Sequence, residues 1–197
     1  VNMARADAEN AIIAAELAVG AVTNEYSDTV PAGSVISQNP AGGTLLAKDS
    51  PVALVISSGP QPVEVPDLGG MAQADANAAL AAAGLGAGSV STVYSETVPA
   101  GSVISQDPIA GTMVLPGTLV NMVVSQGPAP IAVPNVTGMA QADAQAALVS
   151  AGFAVGSVSS LYSNTVPAGN VISQNPAGGT MAVPGTAVRL AVSIGQG

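Results

Sequence analysis

The sequence predicts an α+β protein made of three tandem small domains, each with one helix followed by three strands. Three observations lead there. TVPAGSVISQ occupies residues 29–38 and 97–106 unchanged, and 165–174 with Asn170 as its only difference, a constant step of 68. Met3, Met71 and Met139 keep that step, as do Tyr26, Tyr94 and Tyr162, so the period runs through the whole chain. Within each period an alanine-rich stripe at helical spacing precedes segments of strand-like alternation. A period of 68 exceeds the roughly 20–50 residues of stacked solenoid repeats and suffices for a small core of its own. The expected domains are 1–59, 60–127 and 128–197. Three full periods would need seven residues more than the 197 present, and those seven correspond to PIAVPNV at 130–136. The first repeat therefore starts partway through the pattern, as expected for an excerpt from a longer array or for a trimmed three-repeat chain.

The helix comes first. Ala72, Ala76, Ala79, Leu80 and Ala83 fall on one helical face, matched by Ala4, Ala8, Ala11, Ile12, Ala15 and by Ala140, Ala144, Ala147, Leu148, Ala151. Side chains this small let a helix lie close on a sheet. Gly84 and Gly152 follow as residues able to take positive φ at the helix end, where the first repeat has Glu16, so that end is expected to be looser or differently built. Strands are expected near 89–95, 102–107 and 118–125 of the middle repeat. In the last of these Val120, Met122 and Val124 alternate with Leu119, Asn121 and Val123. The inner set recurs as Val52, Leu54, Ile56 and as Val188, Leu190, Val192. The opposite face carries Pro51, Ala53, Val55 and Ala187, Arg189, Ala191, too apolar for a plainly solvated surface. VPAG reads as a type I turn with Pro at its second position, and NPAGGT or DPIAGT breaks the strand that follows.

Composition excludes several functions. Charged residues make up 8% of the chain against about 25% in ordinary domains, so the surface is mostly small and uncharged. Arg5, Lys48 and Arg189 are the only cations, too few and too scattered to hold nucleic acid. Residues 1–59 carry six carboxylates against Arg5 and Lys48, residues 60–127 carry five with no cation, and Asp143 balances Arg189 in residues 128–197. No run approaches the roughly 18 apolar residues of a membrane helix, so no membrane insertion is expected. Without cysteine or histidine there are no disulfides, zinc sites or His-based catalysis. The carboxylates after the first two Tyr, Asp28 and Glu96, give way to Asn164 in the third repeat, so the units share a polar turn rather than an anionic ligand. GLGAG at 84–88 follows a helix instead of opening one and reads as a C-cap with a tight turn, not a phosphate loop. Asn135-Val136-Thr137 matches an N-glycosylation sequon. No nucleophile–base pair or metal cluster is visible, and neither catalysis nor a cofactor is expected.

VPDLGGMAQADANAALAAAGL at 65–85, followed by VPAGSVISQDPIAGTMVLPGTLVNMVVSQGP at 98–128, resembles the PASTA domain, the penicillin-binding-protein and serine/threonine-kinase-associated module. The markers are the leading VP, a Met-led helix ending in AGL or AGF, VPxGxVxxQxPxxG, and a closing V-S-x-G. They recur over essentially the whole chain, and the first repeat departs in lacking the VP, in Glu16, and in LLAKDSPV where the others have PGT. The resemblance implies one α-helix packed on a three-stranded β-sheet, an extracellular or cell-wall setting, and peptidoglycan fragments or β-lactams as ligands. The family's usual Ser or Thr at the helix start is Ala4, Ala72 and Ala140 here, a loss of about 1 kcal/mol per helix unless Asp7, Asp75 or Asp143 compensates.

Two functions from different classes follow. One is a structural array, a cell-surface stalk or filament segment in which the chain's partner is itself, packed head to tail or laterally through Ala53, Val55, Leu119, Val123, Ala187 and Ala191. The other is a cell-wall module that binds peptidoglycan fragments. For the second, Tyr26, Tyr94 and Tyr162 are the candidates to stack on a sugar ring, or they simply cover a small core. Gln38, Gln106 and Gln174 could take a ligand amide or satisfy backbone groups at the bend after them.

Overall fold

A computed structural model describes residues 1–197. The chain falls into two compact units, Val1–Val90 with Ser105–Met122, and Ser91–Ile104 with Val123–Gly197. The first contains the whole of repeat 1 and the second the whole of repeat 3. Repeat 1 has α1 (Arg5–Ala14), β1 (Ala18–Glu25), β2 (Val35–Asn39) and β3 (Pro51–Ser57). The middle repeat has β4 (Val63–Glu64), α2 (Gln73–Ala82), β5 (Gly86–Val93), β6 (Val103–Asp107), β7 (Met113–Val114) and β8 (Leu119–Ser125). Repeat 3 has β9 (Ile131–Ala132), α3 (Gln141–Ser150), β10 (Ala154–Leu161), β11 (Val171–Asn175), β12 (Met181–Ala182) and β13 (Ala187–Ser193).

Each repeat is an α+β unit with one helix and a three-stranded sheet whose last strand lies in the middle, in the orders β1-β3-β2, β5-β8-β6 and β10-β13-β11. β1 runs parallel to β3 and β2 antiparallel to it, and the third repeat copies that arrangement. The inner set of the central strands is buried as the alternation predicts: Val52, Leu54, Ile56, then Val120, Met122, Val124, then Val188, Leu190, Val192. On the helices, Ala8 and Ile12, Ala76 and Leu80, Ala144 and Leu148 turn inward. Ala4, Ala72 and Ala140, the first members of the stripe, sit at the N-caps and are exposed instead.

Several local expectations are corrected. β5 begins at Gly86, three residues before the expected 89, so GLGAG is a helix end that passes directly into a strand. The glycines inside these first strands have a packing reason. A Cβ at Gly20 would lie 3.1 Å from the backbone of Val52 and Ala53, and the same contact recurs between Gly156 and Val188. Both glycines fall where the pairing shifts register, between Val19 and Val22 and between Val155 and Val158, so they let a bulged strand approach the central one closely.

The VPAG turn is displaced by one residue from its predicted frame. Ser34 donates to the Pro31 carbonyl at 3.1 Å, with Gly33 at φ 81°, so Pro opens the turn and Gly holds the third position, which in a type II turn requires positive φ. The same turn also caps the helix. Arg5 N–H donates to the Gly33 carbonyl and Gln141 N–H to the Gly169 carbonyl, both at 3.0 Å. No side chain caps any of the three helices; in repeats 1 and 3 a backbone carbonyl satisfies the first helical N–H, and Asp7, Asp75 and Asp143 stand in the first turns.

The first helix end is also built like the others. Leu17 N–H reaches the Ile12 carbonyl at 3.1 Å and Glu16 N–H the Ile13 carbonyl at 3.0 Å, the same pair of bonds that Leu85 and Gly84 make to Leu80 and Ala81. Glu16 therefore adopts φ 57° where its counterparts are glycine, and Asp49 takes φ 62° where the others have Gly117 and Gly185.

Candidate functional site

Each repeat ends in a loop cluster assembled by hydrogen bonds that the motif words encode. In the first, Ser57 is 3% exposed and its Oγ donates to the Val30 carbonyl at 2.6 Å while accepting from Gly59 N–H at 3.0 Å. Ser125 and Ser193 do the same for Val98 and Gly127, and for Val166 and Gly195. Ser27, Ser95 and Ser163 accept from the N–H groups of Val30, Val98 and Val166 at 3.0 Å. The closing V-S-x-G and the TVPAG word are thus two halves of one fastening, a role that alternation alone does not reveal for a buried serine. Tyr26, Tyr94 and Tyr162 stand exposed just before these loops. In repeat 3 the loop borders an open hollow of about 250 Å³ lined by Ser163–Ala168, Gly195 and Gln196.

The glutamines lie elsewhere. Gln38 and Gln174 pair in register with Leu54 and Leu190, whereas β1 and β10 meet Ser57 and Ser193 at the strand ends that lead into the Tyr. Tyr and Gln are therefore not brought to one site. Gln106 grips its own chain: Oε1 accepts from Leu68 N–H at 2.7 Å and Nε2 donates to the Pro66 carbonyl at 2.9 Å. Gln174 holds Val136 and Pro134 at 2.6 and 2.9 Å in the same way. Gln38 has only the Pro40 carbonyl, at 3.1 Å.

The outer sheet faces differ among repeats. Ala53, Val55, Val123 and Ala191 are half-buried, while Leu119 and Ala187 are exposed. In repeat 3 this face holds a hollow of about 190 Å³ lined by Ser157, Ser159, Ser173, Gln174, Asn175, Arg189, Leu190 and Ala191. Arg189 is the sole cation of residues 128–197 and takes part in neither of the chain's ion pairs, Arg5–Glu9 and Lys48–Glu16. The position of Arg189 is Ala53 in repeat 1 and Asn121 in repeat 2, where Asn121 Oδ1 already accepts from Ser89 N–H and Oγ at 2.9 Å. The Asn175 position is Asp107 in repeat 2. A guanidinium among hydroxyls and an amide suits a carboxylate flanked by polar groups, and only repeat 3 offers it. No three metal-ligating side chains cluster anywhere. No helix is long and apolar enough to cross a membrane.

Fold and loop chemistry define a tandem array of small α+β modules. The chain belongs to the PASTA domain family, whose model matches residues 1–58, 63–126 and 131–194. Those segments leave only short connections outside them, with no room for a kinase domain. The chain is 35% identical over 176 residues to a probable serine/threonine-protein kinase PknB of Corynebacterium glutamicum, covering 89% of this chain and 27% of that protein. It is 40% identical over 106 residues to the serine/threonine-protein kinase PrkC of Bacillus subtilis, covering 53% of this chain and 16% of that protein. It thus spans about a quarter or less of these relatives. Among solved structures, the three-PASTA-domain of a Ser/Thr kinase from Staphylococcus aureus matches with a TM-score of 0.56 and 27% identity, covering 98% of this chain and 95% of that one. The entire extra-cellular region of the Ser/Thr kinase PrkC from the same organism matches with a TM-score of 0.52 and 26% identity, over 100% of this chain and 69% of that one.

Proposed function

We propose that this chain is an extracellular, non-catalytic segment of a larger protein and that it binds peptidoglycan fragments. The observation that carries the reading is family membership over nearly the whole chain, together with a structural neighbour described as the extra-cellular region of a kinase. The stalk or filament reading draws no support from these relatives, which are named as kinases. A sensor segment ahead of or behind a signalling domain fits them better.

Charge ranks the repeats. Muropeptides carry carboxylates, and repeats 1 and 2 are net acidic while repeat 3 is neutral. Repeat 3 alone combines Arg189 and its hydroxyl-lined hollow with an uncharged loop, Asn164 standing where the others have Asp28 and Glu96. The proposed binding surface is therefore the outer face of β10, β11 and β13 around Arg189, away from the strand ends that lead into Tyr162. A solvated carboxylate about 4 Å from a guanidinium gains about 1 kcal/mol, roughly fivefold in affinity.

The test is calorimetric titration of the chain with a purified anionic muropeptide at low and at physiological salt, beside Arg189→Gln. The expected result is roughly fivefold weaker binding for Arg189→Gln, with a flatter salt dependence. Binding that ignores Arg189→Gln places the ligand elsewhere, and no binding by the parent chain removes the reading.

A further inference from the structure

We propose that the bulge of β10 in repeat 3 is a carboxylate cradle, in which the Ser157 N–H and hydroxyl hold one oxygen and the Arg189 guanidinium holds the other. The cradle rests on the peptidoglycan-fragment reading above, and it names the chemical group recognised and a second residue that selects it. Between Val155 and Val158 the pairing of β10 with β13 slips, so Gly156 and Ser157 together face Arg189. A Cβ at Gly156 would lie 3.2 Å from Arg189 Cγ, so the missing side chain is what lets the arginine stem lie against β10. Arg189 and Ser157 thereby line the same hollow.

The middle repeat holds a stand-in for the ligand oxygen. There Asn121 occupies the position of Arg189, and Ser89 that of Ser157. Asn121 Oδ1 accepts from both the Ser89 N–H and the Ser89 hydroxyl at 2.9 Å, and a Cβ at Gly88 would collide with that same oxygen. Repeat 2 thus fills a two-donor seat with an oxygen of its own, placed over the glycine. A guanidinium has donors and no acceptor, so in repeat 3 position 189 supplies no such oxygen and stands a cation beside the seat instead. A carboxylate brings the oxygen and the opposite charge together, and its second oxygen pairs with the guanidinium. The strand on the other side fits this assignment. Asn175 pairs in register with Arg189, whereas the middle repeat has Asp107 at the matching position, a carboxylate that repels an anionic ligand. In repeat 1 the matching residues are Ala21 and Ala53, which offer neither hydroxyl nor cation. Of the three repeats, one is built to take the group, one fills its own seat, and one lacks the seat.

The test uses the full 197-residue chain, isotopically labelled, titrated with a purified anionic muropeptide and with the same muropeptide after its carboxylates are converted to carboxamides. Amide spectra locate the ligand and calorimetry gives the affinity. The Ser157 amide should shift saturably with the acid form while the Ser89 amide stays still. The carboxamide form should bind about fivefold more weakly, the factor for one solvated carboxylate–guanidinium pair. Ser157→Ala keeps the N–H and loses the hydroxyl, so it should weaken the acid form about threefold, as for one exposed hydrogen bond. The double variant Asn121→Arg with Asp107→Asn copies the cradle into the middle repeat, and a second muropeptide should then bind with a saturable shift at Ser89. Binding that leaves the Ser157 amide unmoved, equal affinity for acid and carboxamide, Ser157→Ala binding like the parent, or a folded double variant that still binds one muropeptide would each overturn the cradle and leave the peptidoglycan reading standing. No heat and no shift with either form would overturn that reading and the cradle with it.

Discussion

Gln106→Ala and Gln38→Ala remove the same side chain from equivalent places in two repeats, and the structure assigns them different consequences. Gln106 Oε1 is the acceptor for the N–H of Leu68, a residue with no exposed surface, and its Nε2 reaches the Pro66 and Pro108 carbonyls at 2.9 and 3.3 Å. Truncation leaves a buried N–H without a partner, worth about 1–3 kcal/mol, and loses one good and one long neutral bond worth about 1 kcal/mol more. The middle repeat should therefore lose about 2–4 kcal/mol, a large part of what a domain of this size possesses. Gln38 makes one 3.1 Å bond to the Pro40 carbonyl, so its loss should stay below about 1.5 kcal/mol. A single melting temperature would blur three repeats together. Native-state hydrogen exchange separates them: the free energy of opening should fall in the middle repeat of Gln106→Ala, with Leu68 losing protection first, and hardly change in the first repeat of Gln38→Ala. Equal losses in the two repeats would refute the argument that the clamp acts through the segment it holds.

Two further stability predictions rest on backbone and loop geometry. Glu16→Gly should stabilise repeat 1 by about 0.5–1 kcal/mol, because it relieves a non-glycine residue at φ 57° and forfeits only an exposed ion pair to Lys48; hydrogen exchange of the Leu17 amide would show it. Ser125→Ala should destabilise the middle repeat by about 1–3 kcal/mol, since the Val98 carbonyl and Gly127 N–H lose their shared partner, and Tyr94 relaxation should report a loosened loop.

How much of this is legible from residues depends on the distance over which the determining interaction acts. The period, the helix stripe and the inner set of β3, β8 and β13 can be read directly, because each reflects a local alternation that burial enforces. The start of β5 cannot, since Gly86 and Gly88 look like a turn until a neighbouring strand at contact distance supplies the reason for having no side chain. The turn frame at Pro31 is set by which residue takes positive φ, and the helix N-termini of repeats 1 and 3 are completed by that same turn, 28 residues away in each case. Serine at 57, 125 and 193 keeps the 68-residue step but gives no hydrophobic signal for its burial, which is justified by two hydrogen bonds. Arg189 reads as an outer-face residue of a strand, but its setting among Ser157, Ser159 and Ser173 exists only once β10 and β11 flank β13.

The three repeats share their fastening words and diverge where those words end, which separates what holds the fold from what varies on it. Ser-x-Gly, TVPAG and the central-strand core are kept in all three, and each has a buried contact or hydrogen bond that explains it. The position of Arg189 passes through Ala53 and Asn121, and that of Asn164 through Asp28 and Glu96, at surface sites where substitution leaves the core untouched. A pure spacer would have no physical need for such differences, but also no penalty for them. A binding surface would be changed by every one, since each alters the charge or hydrogen bonding offered to an anionic ligand. Arg189→Gln therefore separates the two more sharply than any core mutation, because it leaves packing alone and changes only what the face presents.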